Sequence, residues 1–306
     1  MNPLMSVSDA QLQAWTSGEP IPDGRWLIDR PVSLSASLRG GGNRTELVFT
    51  QNGGLRASGD CAQVEVSALS IVASELRVKP IIEANTCDLR LSRVALRWEG
   101  ELDTAYHHPP ALALGMANLT LIDVNFLCWP GDFGAASCVI MGGPGSRLDA
   151  VGCLFAPWKS VAIAARGCKD ISLRRCSFAM NIGLAAVKLE AALTSHTEVA
   201  LTSTSLSGQV DGALLGLVPS THFNLKVDGC HLGQGDIIPH LAVRTLEQRH
   251  MLMATSVPDD VWIDGRPLID HLHERATPYE VTQWSFAVSS SFDDVVSTAI
   301  RSSSDL

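Results

Sequence analysis

Val66-Ser67-Ala68-Leu69-Ser70-Ile71 decides how this chain folds, because the same six-residue pattern returns six more times. The later copies run Leu91 to Leu96, Leu121 to Phe126, Ala150 to Phe155, Leu173 to Phe178, Leu201 to Leu206 and Val227 to Leu232. Each reads apolar, two variable residues, apolar, one variable residue, apolar, and Thr204 alone breaks the pattern. Their last positions (71, 96, 126, 155, 178, 206 and 232) are spaced 25, 30, 29, 23, 28 and 26 residues apart. A loose period of this length marks a solenoid, whose units bury their apolar edge only by stacking on their neighbours.

Apolar and polar residues alternate around each copy, as in Leu89-Arg90-Leu91 and Leu119-Thr120-Leu121, so the units are strands. The odd step inside the pattern, two variable residues and then one, implies a corner where one strand bends into the next. A second strand-like run recurs between copies: Ala111 to Leu114, Cys138 to Met141, Val161 to Ile163, Val187 to Leu189 and Leu214 to Leu217. Two or three short strands per turn predict a parallel β-helix. Leucine-rich repeats compete for the same period, but their fixed Asn and helical half-repeat are missing. On these residues, over roughly 25–250, the chain resembles the right-handed parallel β-helices of the pectate-lyase-like superfamily. Its opening order (a helix, Gly24, two strands, then Leu38-Arg39-Gly40-Gly41-Gly42) is similar to the first turns of phage tailspikes and polysaccharide-degrading β-helices. The expected organisation is a cap over residues 1–24, a solenoid over 25–256 and a C-terminal cap over 257–306. Residues 6–17 supply the first cap as a short helix, with Ser8 as N-cap and Leu12 and Trp15 as its apolar face.

Composition narrows the partners. Of 306 residues, 46% are hydrophobic and 18% charged, with net charge −9 and no Lys/Arg-rich run. That disfavours nucleic acid and anionic membranes, which need a basic footprint. No apolar run approaches the ~20 residues of a membrane span. Met1 to Ser6 lacks the basic and apolar regions of a signal peptide, which points to folding in a cytoplasm and is compatible with a virion protein released by lysis. Three of the eight cysteines (Cys153, Cys176 and Cys230) share the middle column of the pattern with Leu69, Val94, Val124 and Thr204. They read as free, buried thiols acting as small hydrophobes. No CxxC or Cys/His spacing suits a metal. The Gly40-Gly41-Gly42 run lacks the ending of a phosphate loop and reads as a corner, so no cofactor is expected.

Candidate functional residues cluster where the repeat is interrupted. An insertion from Glu99 to Pro110 carries His107 and His108, and a shorter one carries Asp132. Trp98, Trp129 and Trp158 follow the pattern in three consecutive turns, so rungs ~4.8 Å apart would set them in a row. They read either as an indole stack packing a corner or, with loop carboxylates beside them, as a sugar platform. Hydrolysis needs two carboxylates ~5–9 Å apart, and Asp123 and Asp149 are the outward candidates on adjacent turns. The resemblance would also imply the polygalacturonase signatures Asn-Thr-Asp, Asp-Asp, Gly-His-Gly and Arg-Ile-Lys, which are absent. Val261-Trp262-Ile263-Asp264 begins a pectate-lyase motif, but Gly265 stands where His is required. The second strand offers a bare outward face of Ala113, Gly115, Ile140, Gly142, Ala162, Ala164, Leu214 and Gly216, broken by Lys188 and Glu190. Such a face suits a homotrimer or another oligomer. The leading expectation is an oligomeric phage-tail or tailspike-like protein that binds a surface polysaccharide. A polysaccharide lyase or hydrolase, and a cytoplasmic β-helix enzyme acting on a small molecule, are the alternatives.

Overall fold

In all seven copies the third residue of the pattern has positive φ: Ala68 (54°), Arg93 (54°), Asp123 (52°), Gly152 (67°), Arg175 (53°), Ser203 (49°) and Gly229 (58°). Strict strand alternation would place the first and fourth residues on opposite faces. One left-handed residue between them turns the chain and brings the first, fourth and sixth positions all to the inside. A non-glycine residue in that conformation costs ~1 kcal/mol, and five of the seven are not glycine. Stacking therefore overrides local preference here. The corner amides bond the next turn, Asp123 to the Val151 carbonyl at 2.9 Å, Gly152 to Arg174 at 3.0 Å and Arg175 to Thr202 at 2.9 Å.

The computed structural model describes residues 3–57, 63–100, 108–130, 136–157, 161–180, 185–190, 196–208, 213–217, 222–232, 241–243, 261–263 and 266–267. They form an all-β parallel solenoid with one helix. Each regular turn holds three strands, as in Leu112–Gly115, Leu119–Ile122 and Asn125–Trp129. The strands on either side of the corner belong to one sheet of eighteen. The remaining strands form a second sheet of nine, stacked in chain order from Pro31–Leu34 to Leu241–Val243. Val261–Ile263 pairs in parallel with Leu225–Val227, so part of the expected C-terminal cap adds a rung to the corner sheet. It also pairs antiparallel with Arg266–Pro267, on either side of the expected turn at 264–265, which lies outside the described residues.

The interior is a set of vertical columns. Val66, Leu91, Leu121, Ala150, Leu173 and Leu201 fill the first, and Ile71, Leu96, Phe126, Phe155 and Phe178 the last, all buried. Phe126, Phe155 and Phe178 stack nearly parallel, with centroids 5.1 and 4.9 Å apart. The middle column changes chemistry along the stack, from Leu69, Val94 and Val124 to Cys153, Cys176, Thr204 and Cys230. Its thiols and hydroxyl reach carbonyls left at the bend: Cys176 Sγ to Ala150 O at 3.5 Å, Thr204 Oγ1 to Leu173 O at 3.2 Å, Cys230 Sγ to Leu201 O at 3.6 Å. Thr204 thus fills the cysteine position rather than breaking the column, since a short donor suits a bend with spare acceptors.

The N-terminal end is covered as the sequence implies. Helix Asp9–Thr16 starts at a Ser8–Gln11 capping box, and Trp15 packs edge-on against Trp26 at 5.3 Å. Arg30 pairs with Asp9 and ties the helix to the first turn. Leu4–Ser6 adds a strand beside Arg25–Leu27. The Gly40–Gly42 run lies at the first corner, where the five residues 40–44 replace the single left-handed one of later turns. Gly40 is required there, because a Cβ would sit 2.5 Å from the Ala68 carbonyl.

On the second sheet, Leu112, Val139, Ile163 and Val187 align in register inside, and Ala113, Ile140, Ala164, Lys188 and Gly216 align one residue later. The second column faces out, as expected, but it is not bare. Ile140 is only 2% exposed and Ala164 5%, whereas Ala113 is half-buried. Ala162 belongs to the core, opposite an irregularity in the partner strand between Ala136 and Val139.

Candidate binding edge

Every turn leaves the corner sheet and crosses to the second sheet along one edge, and the crossing length there varies widely from turn to turn. It runs from two residues, 29–30, through 50–53 and 74–81, to the thirteen of 99–111. The longest crossing is the insertion anticipated from the sequence.

Trp98 and Trp129 stand where this edge begins, at the ends of strands Asp88–Trp98 and Asn125–Trp129. Their rings meet edge to face at 5.5 Å, and His108 meets Trp98 the same way at 5.1 Å. Trp129 is fully buried and Trp98 only 7% exposed. Both indole N–H groups donate to crossing carbonyls, Trp98 to Gly100 at 2.9 Å and Trp129 to Pro109 at 3.0 Å. With no ring face open to solvent, these two indoles anchor the long crossing, and a sugar has no surface on them to stack against. His108 is buried with them. Trp158, Asp132 and His107 lie outside the described residues.

The two carboxylates occupy different places along their turns. Asp123 is the left-handed corner residue, exposed above Gly152, where a Cβ would lie 2.5 Å from Asp123 Oδ1. Asp149 stands three residues before that neighbouring corner and faces out from the middle of its strand. Three residues at ~3.3 Å and one rung at ~4.8 Å separate the backbones by ~11 Å. Both Asp149 oxygens accept from Arg174 Nη2 at 3.0 Å. Asp149 is therefore held as one half of an ion pair, while Asp123 stands at the corner of the preceding turn. Glu99, from the insertion, closes a ring of charges instead: Arg25–Glu46 2.7 Å, Arg25–Glu99 2.8 Å, Arg97–Glu46 2.9 Å and Arg97–Glu99 2.9 Å. Among the described residues no cluster of His, Cys, Asp or Glu could hold a metal ion, and no helix is long and apolar enough to cross a membrane.

A different group of residues shapes an open site. Between crossings 50–53 and 74–81 lies a cavity of about 320 Å³. Pro31, Leu55, Val78 and Pro80 give it apolar walls; Gln51, Asn52, Arg56, Arg77, Lys79 and Glu83 give it polar groups. Arg77 organises it. Arg77 is 2% exposed, and its guanidinium donates to four carbonyls: Lys79 at 2.8 Å, Thr50 at 3.2 Å, Pro80 at 3.4 Å and Gly53. A planar fork with several fixed donors suits this role in a way a lysine ammonium does not. Burial lowers the Arg77 pKa to about 10, partly offset by Glu83, so it stays charged at neutral pH. Glu83 itself pairs with Arg56 at 3.3 Å. Lys79 is exposed and Val78 is 74% exposed at the rim. The sequence reading passed over this site. Its only signal was Arg77-Val78-Lys79-Pro80, a basic, proline-closed stretch in the first long gap between strands.

No protein-family model matches this chain, and no curated protein does. Among solved structures the chain is similar to a catalytic domain of a GH87 alpha-1,3-glucanase in complex with tetrasaccharides, at 11% identity and TM-score 0.41, over 76% of this chain and 55% of that one. It is also similar to a GH87 alpha-1,3-glucanase catalytic domain in complex with nigerose, at 10% identity and TM-score 0.27, over 80% of this chain and 68% of that one. The chain thus spans about half the length of the first. No residue role is transferred from either.

Proposed function

We propose that this chain is a saccharide-binding β-solenoid of the phage-tail or tailspike type, which engages a cell-surface polysaccharide along its variable edge. The observation that carries the reading is the cavity between crossings 50–53 and 74–81, set on rigid stacked rungs. Apolar walls of Pro31, Leu55, Val78 and Pro80 suit the C–H faces of a sugar ring, and Gln51, Asn52, Arg56 and Lys79 offer donors for its hydroxyls. Binding is favoured over cleavage because both oxygens of Asp149 are engaged by Arg174 rather than free to work with Asp123. The reading includes a homotrimer through the second sheet, at the partly exposed small residues Ala113 and Gly115 rather than at the covered Ile140 and Ala164.

Two measurements test it. Purified protein is screened against bacterial surface polysaccharides, with wild type compared to Asn52→Ala and Val78→Asp. Retention by at least one polysaccharide, weakened in both variants, is the expected result; retention by none removes the saccharide reading. Light scattering after size exclusion should give three times the 32.7 kDa chain mass. A clean monomer would remove the trimer.

A further inference from the structure

The charges around the cavity do not balance. Arg56, Arg77 and Lys79 line it against the single carboxylate of Glu83, in a chain whose net charge is −9. Glu75 is the other acid close by, and it accepts from the Gln51 amide at 3.1 Å on the same crossing without lining the cavity. Arg77 is buried with backbone carbonyls as its direct partners, and Glu83 is engaged by Arg56. A buried cation bonded directly only to dipoles, with Glu83 acting at longer range and already shared with Arg56, is under-compensated, and an anion beside it gains from the low local dielectric. The four carbonyl bonds also hold the guanidinium still, so little ordering is required when a ligand arrives. A clamp on the two crossings explains Arg77, and the cross-strand pair with Glu83 holds Arg56 at the cavity wall, but the one carboxylate leaves two of the three lining cations, Arg77 and Lys79, without a matching charge.

We propose that this cavity is an oxyanion site, taking the carboxylate or phosphate substituent of a monosaccharide-sized unit, with Lys79 and Arg56 as direct partners and Arg77 as the fixed charge behind them. The saccharide body rests on the function proposed above; the anion rests on the cavity's own charges. Pro31, Val78 and Pro80 would face the body of the unit while the oxyanion lies toward Arg77. Carboxylate and phosphate share this chemistry, and the probes separate them.

The test is calorimetric titration of the full-length protein with inorganic phosphate, glucose 6-phosphate, glucuronate, glucose and glucosamine, at low and high salt. The expected result is binding of at least one anionic probe, weaker at high salt, with neither glucose nor glucosamine matching it. Lys79→Gln and Arg56→Gln, which leave the Arg77 carbonyl bonds in place, should each weaken that binding roughly tenfold. Preference for glucuronate assigns a carboxylate ligand; preference for glucose 6-phosphate assigns a phosphate one. No binding of any anionic probe, or binding unchanged in both variants, overturns the oxyanion site. If anions fail while a neutral polysaccharide is still retained, the site falls and the saccharide reading stands. If inorganic phosphate binds at Lys79 and no saccharide binds at all, the site stands and the saccharide reading falls.

Discussion

The two edges of this solenoid solve opposite problems. At the corner the geometry is fixed and the side chain is free: one left-handed residue per turn, occupied in order by Ala, Arg, Asp, Gly, Arg, Ser and Gly. At the opposite edge the geometry changes from turn to turn, and particular side chains hold it. Arg77 clamps two crossings and Trp98 and Trp129 anchor a third. The corner is specified by repetition, because every rung bonds to an identical rung above it. The crossing edge has no such template, so each loop needs its own anchor. An exposed corner side chain such as Asp123 is accordingly weak evidence of function, whereas a buried, multiply bonded side chain at the crossing edge marks where the protein has built something.

The sharpest way to break this contrast is at Arg77. Arg77→Met leaves four crossing carbonyls without their donor, and we expect a loss of ~3–5 kcal/mol in denaturant unfolding. A loss under ~1 kcal/mol would mean that the crossings hold their shape without it, and the contrast would fail. A smaller effect separates the corner from its neighbours. Arg93→Gly should stabilise by ~0.5–1 kcal/mol by relieving left-handed strain, whereas Ser92→Gly, one residue earlier in extended backbone, should destabilise by a similar amount. Equal signs for the pair would show that the corner conformation carries no strain. The smallest effect belongs to Asp149. Its ion pair with Arg174 is about half exposed, so Asp149→Asn should change stability by ~0.5 kcal/mol or less. It should also leave polysaccharide retention unaltered, and lost retention would move the site from the cavity to the strand face.

Particular residues show how far the sequence could be read. The alternation around Leu91 and Leu121, with its odd step, specified strands, a corner and the three interior columns, including the buried thiols of Cys153 and Cys176. Ser8, with Leu12 and Trp15 spaced behind it, announced the capping helix. The candidate site was far less legible. Trp98 and Trp129 were legible as a row, but whether the row packs inward or stands open as a sugar platform was left between two readings. Asp123 and Asp149 were legible as outward, but their separation depends on how the rungs register. Arg77 gave no periodic signal, because its partners at Thr50 and Gly53 lie more than twenty residues earlier.

What the chain determined by itself is whatever local stereochemistry decides: which residues face in, where the strand must bend, and that each turn needs another stacked upon it. Side-chain direction in a strand alternates with period two whatever lies nearby, so these features are written in short windows. What only the tertiary structure decided is which crossings lie side by side and what space they leave. That depends on loop lengths summed over successive turns, and on a buried arginine whose charge is set against carbonyls from two of them. No window of sequence contains both halves of that arrangement; stacking brings them together and gives the cavity its walls.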